Sequence, residues 1–266
     1  MDRSDAIEEA AFLVRSPHRI RILETLAEGP ATRGELTERT DVSRVTLGRS
    51  LGAMEERKWL ARADGRYHLR PLGELVLSAT DGFLETLTTQ DRLRDVVDGL
   101  PTSDLGFGLG RLGDATVLLA SRHDSGAVVR RYVARIEAAT ELRVLKDTVD
   151  MNAVRTVSDR IAAGRLDATV VYSTAAIQTT LKIPEARELM VRDIENGKRA
   201  LRYDGKLTHH LAIIDGTVLL FLLDDHGVQG VVETDDPSVH EWATTTFETI
   251  AEDSEELDAD VFRVGG

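Results

Sequence analysis

The sequence predicts an α+β protein: an N-terminal winged helix-turn-helix, a linker helix, and a C-terminal α/β sandwich with a mixed sheet. Three observations carry this. Residues 31–70 read as helix, turn, helix and short hairpin. Residues 71–100 repeat apolar side chains at three- and four-residue steps. Residues 125–253 alternate strands with amphipathic helices, then close on hairpins and a last helix. The expected divisions are 1–75 for the winged domain, 76–113 for linker helix and connector, 114–255 for the α/β domain and 256–266 for an acidic tail.

Taken in order, residues 5–14 (DAIEEAAFLV) have helical spacing, with Ile7, Ala10, Ala11 and Val14 expected inward. Ser16-Pro17 breaks that helix, and Pro17 suits the first turn of the next. The second helix, 18–28, places Ile20, Ile22, Leu23 and Leu26 on a buried side, and Gly29-Pro30 ends it. Thr32 can accept from the free amides of a short helix opening Arg33-Gly34-Glu35-Leu36. Thr40-Asp41-Val42 is the turn, and Ser43 caps a helix running to about Lys58. At about 100° per residue, Leu47, Leu51 and Met54 share its buried face. Val45, Arg49, Gly52 and Glu56 point away, with Arg44 and Thr46 on the flanks. Gly48 and Gly52 cost roughly 1 kcal/mol each relative to Ala, which calls for close approach by a neighbouring helix or a DNA backbone. Asp64-Gly65 between 60–63 and 66–70 is a strong local hairpin signal. This order of elements sends the second helix into a major groove. The candidate DNA contacts are Arg33, Ser43, Arg44, Val45, Thr46, Arg49 and Lys58, with Val45 open to a thymine methyl. Arg62 and Arg66 on the wing, with His68, would meet phosphates or the minor groove. The plainer alternative is a helical hairpin whose arginines are merely solvated.

From Pro71 the apolar positions Leu72, Leu75, Val76, Ala79, Phe83, Leu87, Leu93, Val97 and Leu100 suit either a dimer seam or docking on the second domain. The expectation is a homodimer, although Gly82 and Thr88-Thr89 interrupt any single coil. Residues 101–113 (PTSDLGFGLGRLG) form a glycine-rich connector and the expected domain boundary. They lack the strand-loop-helix context of a nucleotide fingerprint. Beyond it, helices are predicted over 125–139, 154–163, 174–181, 185–196 and 238–253. Strands are predicted over 141–146, 167–173, 200–203, 207–215, 217–223 and 228–233, with a hairpin at Asp215-Gly216. The tail from Ser254 is expected to fray.

The 266 residues carry a formal net charge of -13 and no cysteine, which excludes disulfides and thiolate metal sites. Residues 1–75 hold 13 Lys+Arg and 13 Asp+Glu; the remainder holds 20 against 33, the whole deficit. DNA binding depends on the field of the contact face rather than on the total. Five lysines against 28 arginines, with abundant Asp and Glu, suggest a halophilic, very salty cytoplasm; an ordinary acidic protein of high-GC coding is the rival reading. Salt at that level would screen phosphate contacts and shift weight to base edges. With no signal-like segment and no run of 18 apolar residues, a cytoplasmic protein without membrane contact is expected.

The run SPHRIRILETLAEGPATRGELTERTDVSRVTLGRSLGAMEERKWL resembles the winged helix of archaeal regulators of the ArsR/MarR type. Metal sensors of the ArsR type use Cys and His ligands at this helix, and no Cys exists here. THHLAIIDGTVLLFLLDD and GVVETDDPSVHEWATTTFETI resemble the C-terminal domain of archaeal FilR-type regulators, named after a methanogen regulator and common in haloarchaea. Membership implies transcription regulation, with the second domain binding an effector or dimerising. It names no effector.

The same domain is similar to the phospholipase D fold, in the form used by TrmB-type regulators, but degenerate. That fold's motif is His-x-Lys, four residues, then Asp. Aligned on Asp215, the chain offers Thr208 for the nucleophile and His210 for the lysine. A neutral imidazole cannot replace an ammonium on a phosphate, so no catalytic residue is expected. A phosphodiesterase, or a scaffold whose winged helix has lost DNA, are the alternatives. His209 and His210, near Asp224, Asp225 and His226, invite a metal reading. Adjacent strand residues face opposite ways, so no metal or other cofactor is expected. Ligands in α/β sheets sit beyond the carboxyl ends of strands. That rule points to Lys146, Thr148, Tyr172, Ser173, Thr174 and His210 as a small-molecule site. Trp242, at helical spacing with Phe247, reads as core.

Overall fold

The apolar periodicities resolve into two separate cores, in units spanning Met1–Leu87 and Thr88–Gly266. The computed structural model describes residues 2–102, 104–121, 124–224 and 227–263.

The first unit is built from α1 (Arg3–Val14), α2 (Pro17–Ala27), β1 (Ala31–Thr32), α3 (Arg33–Thr40), α4 (Arg44–Glu56), β2 (Leu60–Ala63), β3 (Arg66–Leu69) and the start of α5 (Pro71–Leu93). Thr32 and Glu35 form a reciprocal capping box at α3. Asp41, at φ 52°, ends that helix in the left-handed region. Ser43 caps α4 by accepting from the Thr46 amide. Asp64 and Gly65 both have positive φ (51° and 76°), the turn that matches strand twist in a two-residue hairpin. Leu47, Leu51 and Met54 are buried with Ile22, Leu23, Leu26 and Leu36.

Two features of this unit differ from expectation. β1 pairs with β3 and completes a three-stranded sheet in the order β1-β3-β2; two residues are too few to show alternation. Helix α1 turns Phe12 and Leu13 inward and leaves Ile7 (61% exposed) and Val14 on the surface. Phe12 decides the rotation. Its ring sits under the guanidinium groups of Arg19 (3.9 Å) and Arg57 (3.8 Å), and edge-on to Trp59 at 5.7 Å.

The second unit takes over within α5, not in the glycine-rich segment. Leu93, Val96 and Leu100 are buried in its core, as is Leu112 of the connector, so the repeat beyond Leu87 is core rather than dimer seam. Its elements follow in order: β4 (Thr116–Leu119), α6 (Ala127–Ala138), β5 (Glu141–Lys146), α7 (Met151–Ala162), β6 (Asp167–Ser173), α8 (Thr174–Lys182), α9 (Pro184–Glu195), β7 (Arg199–Tyr203), β8 (Leu211–Ile214), β9 (Thr217–Asp224), β10 (Gly227–Thr234), α10 (Pro237–Glu252), β11 (Glu255–Glu256) and α11 (Asp260–Arg263). Among the described residues the sheet runs β11-β7-β6-β5-β8-β9-β10-β4. It is parallel across β5, β6 and β7, and antiparallel elsewhere. Alternation along the strands feeds two faces. Leu142, Val144 and Val170 pack with Val128, Ile136, Val157 and Met190 of the helices. Leu145, Val171 and Leu211 pack with Val239, Ala243 and Phe247 of α10.

Two polar contacts lock this sandwich. Buried Glu233 on β10 accepts a bidentate pair from Arg131 (2.8 and 2.9 Å) and a further contact from Arg135, both on α6. Asp215, in the β8–β9 turn, accepts from the amides of Thr140 (3.1 Å) and Glu141 (2.8 Å). The segment after Ser254 is not frayed. β11 pairs with β7, and Leu257 and Phe262 are buried. Among the described residues no helix is long and apolar enough to cross a membrane.

Candidate nucleic-acid face and ligand pocket

Because Leu47, Leu51 and Met54 point α4 into its core, the opposite side is presented to solvent. Arg44, Val45 (65% exposed), Thr46 and Arg49 all lie on it. Neither Arg44 nor Arg49 makes an ion pair with another described residue. Lys58 is exposed just past the helix end, at φ 58°. On the wing, Arg62 is exposed with its guanidinium 5.8 Å from the Tyr67 ring.

Other candidates in this unit are committed internally. Arg33 Nη2 donates to the carbonyl of Arg44 at 2.7 Å. A Cβ at Gly48 would meet that same nitrogen at 2.5 Å, so Gly48 makes room for an arginine of its own unit. Gly52 has nothing within 4 Å of a built Cβ, and no steric need explains it. Arg66 Nη1 donates to the carbonyl of Pro30 at 2.8 Å and lies 3.3 Å from the Glu35 carboxylate. Glu35 is held below the usual carboxylate range by the Thr32 amide and hydroxyl and by Arg66. Ser43 donates its hydroxyl to Thr46 Oγ1 at 3.0 Å.

In the second unit, a cavity of about 60 Å³ lies between α6 and the sheet. Val128, Val129, Tyr132, Phe221 and Leu223 wall it, and Lys146, Thr148, Asp150 and His210 bring polar groups to it. A smaller void of about 20 Å³ adjoins, lined by Lys146, Tyr172 and Lys198 among others. The two ammonium groups lie 5.7 Å (Lys146) and 5.5 Å (Lys198) from the Tyr172 ring centroid. Lys198 has Asp193 at 3.6 Å. Desolvation alone would lower it, but Tyr172 and Asp193 carry it above its ordinary value. Lys146 has no such partner among the described residues. Burial, and then Lys198, push it down to about 8, with Asp150 opposing.

Residues 7–92 match the HVO_A0261 N-terminal domain family, and residues 126–253 match the family described as methanogenesis regulatory protein FilR1, middle domain. Each unit thus carries the match to one of these two families. No curated protein matches the chain. Similar solved structures include TrmBL2, an archaeal chromatin protein, at 14% identity and TM-score 0.44, covering 91% of this chain and 94% of that one. Nuc, a phospholipase D family member from Salmonella typhimurium, has 13% identity and TM-score 0.44, covering 54% and 99%. NucT from Helicobacter pylori has 14% identity and TM-score 0.40, covering 54% and 98%. None of these likenesses transfers a residue role.

Within the second unit the six ligand candidates separate. Lys146, Thr148 and His210 line the larger cavity, and Tyr172 the smaller. Ser173 is the N-cap of α8, accepting from the Ala176 amide at 3.1 Å. Thr174 is exposed and donates to Asp204 at 2.9 Å. Both therefore serve chain geometry, which favours a cap wherever a strand runs straight into a helix. The cavity residues that sequence reasoning missed include Val128, Val129 and Tyr132 of α6, Asp150, and Phe221 and Leu223 of β9.

His209 and His210 lie before β8, outside the strand, yet still diverge. His209 stacks edge-on to Trp242 at 5.2 Å, whereas His210 Nδ1 lies 3.4 Å from Asp147. Desolvation lowers both below the ordinary imidazole value. Trp242 also packs edge-on to Phe107 and lines two open clefts of about 380 and 540 Å³; Phe247 is buried core. Asp225 and His226, and the side chain of Asp224, lie outside the described residues. Asp215, the residue on which a hydrolase motif would be aligned, is consumed by the Thr140 and Glu141 amides. Against the desolvation that raises it, those bonds hold its carboxyl below the usual range.

Proposed function

We propose that this chain is a cytoplasmic, sequence-specific DNA-binding transcription regulator that acts as a homodimer, its FilR1-type unit sensing a small molecule. The observation that carries the reading is the outward face of α4. Arg44, Val45, Thr46 and Arg49 stand in solvent together, with neither arginine ion-paired among the described residues. A helix end that leaves two cations free beside an exposed apolar side chain suits phosphates and a thymine methyl in a major groove. Arg62 and Lys58 extend that positive face. The family of the second unit is named for a regulatory protein, which agrees with this reading. In a salty cytoplasm the phosphate contacts weaken, and Val45 and Arg49 carry more of the selectivity.

The test is a mobility-shift titration against genomic fragments recovered by immunoprecipitation of the full chain. Enriched sites with a shared sequence, lost on Arg44→Ala plus Arg49→Ala, are expected. No enriched sites, or a double variant that binds as well as the parent, would sink the reading.

Dimerisation is supported by an exposed stripe on α5. Leu72, Leu75, Ala79, Phe83 and Leu87 share one side of the helix, the pattern that a second copy would cover. Phe83→Glu should convert the protein to a monomer in sedimentation and weaken binding to a two-half-site operator. A parent chain that sediments as a monomer at all concentrations would remove the dimer from the proposal.

A further inference from the structure

We propose that the cavity between α6 and the sheet of the second unit binds a short aliphatic monocarboxylate, of the size of propionate or butyrate. Its carboxylate would sit at the Lys146 ammonium and its alkyl chain among Val128, Val129, Tyr132, Phe221 and Leu223. This deepens the effector reading above and rests on it only for the regulatory consequence, not for the binding.

Three features of the cavity select that class. The first is charge. Two lysines flank Tyr172 at nearly equal distance, but among the described residues they differ in pairing: Lys198 meets Asp193 at 3.6 Å, while Lys146 meets no acceptor. Lys146 is half-buried, an ammonium drawn partly out of water is costly to leave unpaired, and the residue lines the cavity. Asp150 caps α7, accepting from the Ala153 amide at 2.9 Å; its charge favours the ammonium, but the two make no ion pair. The second is the lining. Apart from Lys146, Thr148, Asp150 and His210, the wall is aliphatic or aromatic, and Tyr132 packs edge-on to Phe221 at 5.2 Å. Asp150 and nearby Asp147 would repel a dianion such as phosphate, whereas one negative charge is balanced by Lys146.

The third feature is size. A water-sized group needs roughly 10–15 Å³ by this measure, so about 60 Å³ holds about four to six heavy atoms. His210, kept neutral by desolvation, adds polarity without adding charge. Its Nδ1 and the facing Asp147 Oδ1 are both buried without a hydrogen-bond partner among the described residues, so this end of the cavity is polar and unsatisfied.

The experiment is calorimetric titration of the full-length protein near neutral pH with sodium butyrate. Butyramide, butylamine and inorganic phosphate are run beside it, as are the variants Lys146→Met and Val128→Phe. Butyrate is expected to bind, with the amide, the amine and phosphate each weaker by about tenfold or more, since a hydrogen bond to a charged group is lost or reversed. Lys146→Met should lose a similar factor while melting no lower than the parent, and Val128→Phe should abolish binding by filling the space. No heat with butyrate, equal affinity for butyramide or phosphate, or undiminished binding to Lys146→Met would overturn the proposal. Should Lys146→Met fail to fold, the butyrate–butyramide comparison on the parent chain decides alone. DNA affinity of the same preparation without butyrate reports separately on the regulator reading. Butyrate binding without DNA binding keeps the site and removes the regulator, and the converse removes only the site.

Discussion

Among the described residues each unit holds cations without ion-pair partners, and the two differ in where those cations stand. On α4 of the first unit, Arg44 and Arg49 are unpaired in water, where hydration costs them nothing and a polyanion can displace their counterions. In the second unit Lys146 is unpaired inside the fold, where it is already pushed down to about 8. An exposed cation is free to meet a large anionic surface, and an enclosed one only what fits its cavity. Cations with partners make the contrast sharper. Arg33 and Arg66 in the first unit, and Arg131, Arg135 and Lys198 in the second, are held by acceptors of their own unit.

The largest expected effect falls on the carboxylate that two of these cations share. Glu233 is 5% exposed and accepts from Arg131 and Arg135. Glu233→Ala removes the shared acceptor of two half-exposed guanidinium groups and should destabilise the second unit by about 1.5–3 kcal/mol, the range for hydrogen bonds to charged groups, read by chemical denaturation. A loss below 1 kcal/mol would mean that both arginines reach water as easily as those on α4.

Next comes Arg49→Ala. It should weaken operator binding by ~1–3 kcal/mol if the guanidinium pairs with a guanine, with no change in melting temperature because nothing in the fold holds Arg49. If it serves a phosphate instead, affinity should fall evenly across sequences and the salt slope should drop by about one. A lower melting temperature would show Arg49 to be a structural residue.

Lys146→Met tests the enclosed cation without any ligand. A lysine whose folded value is about 8 lies below its unfolded value of about 10.4. Between those values the unfolded chain holds a proton that the native chain has released, so native stability rises with pH across that window. Denaturation midpoints of parent and variant should therefore converge as pH climbs from about 8 toward about 10.4, the variant being the more stable below. Parallel curves would place Lys146 in water.

How much of this was legible in the sequence follows from how local each signal is. The helix-turn-helix and wing could be read nearly residue by residue, because Thr32, Ser43 and Asp64-Gly65 act on amides within three positions of themselves. A helical wheel gave the outward face of α4 correctly, but it could not show Arg33 folding back over Gly48, eleven residues from the carbonyl it binds at Arg44. The cavity draws on α6, β5, β9 and β10, from Val128 to Val228, and no periodicity joins those segments. One signal was available. A chain with 28 arginines uses five lysines, and two of the five flank a buried tyrosine. Leu257 and Phe262 were missed because scattered apolar residues in an acidic run look like fraying until β11 docks on β7.

The smallest effect belongs to Arg66. Its guanidinium is half exposed, donates to Pro30, and shares Glu35 at 3.3 Å. Exposed pairs of this kind contribute about 0.2–1 kcal/mol, so Arg66→Ala should lower the melting temperature slightly and leave DNA affinity close to the parent's. Arg62→Ala, on the same wing but without such a partner, should do the reverse. If Arg66→Ala weakens DNA binding as much as Arg62→Ala, then Arg66 exchanges Glu35 for a phosphate when the duplex arrives. Glu35→Gln separates the two cases. Releasing Arg66 from its carboxylate should strengthen DNA binding if the exchange occurs, and leave it unchanged if the arginine stays with Pro30.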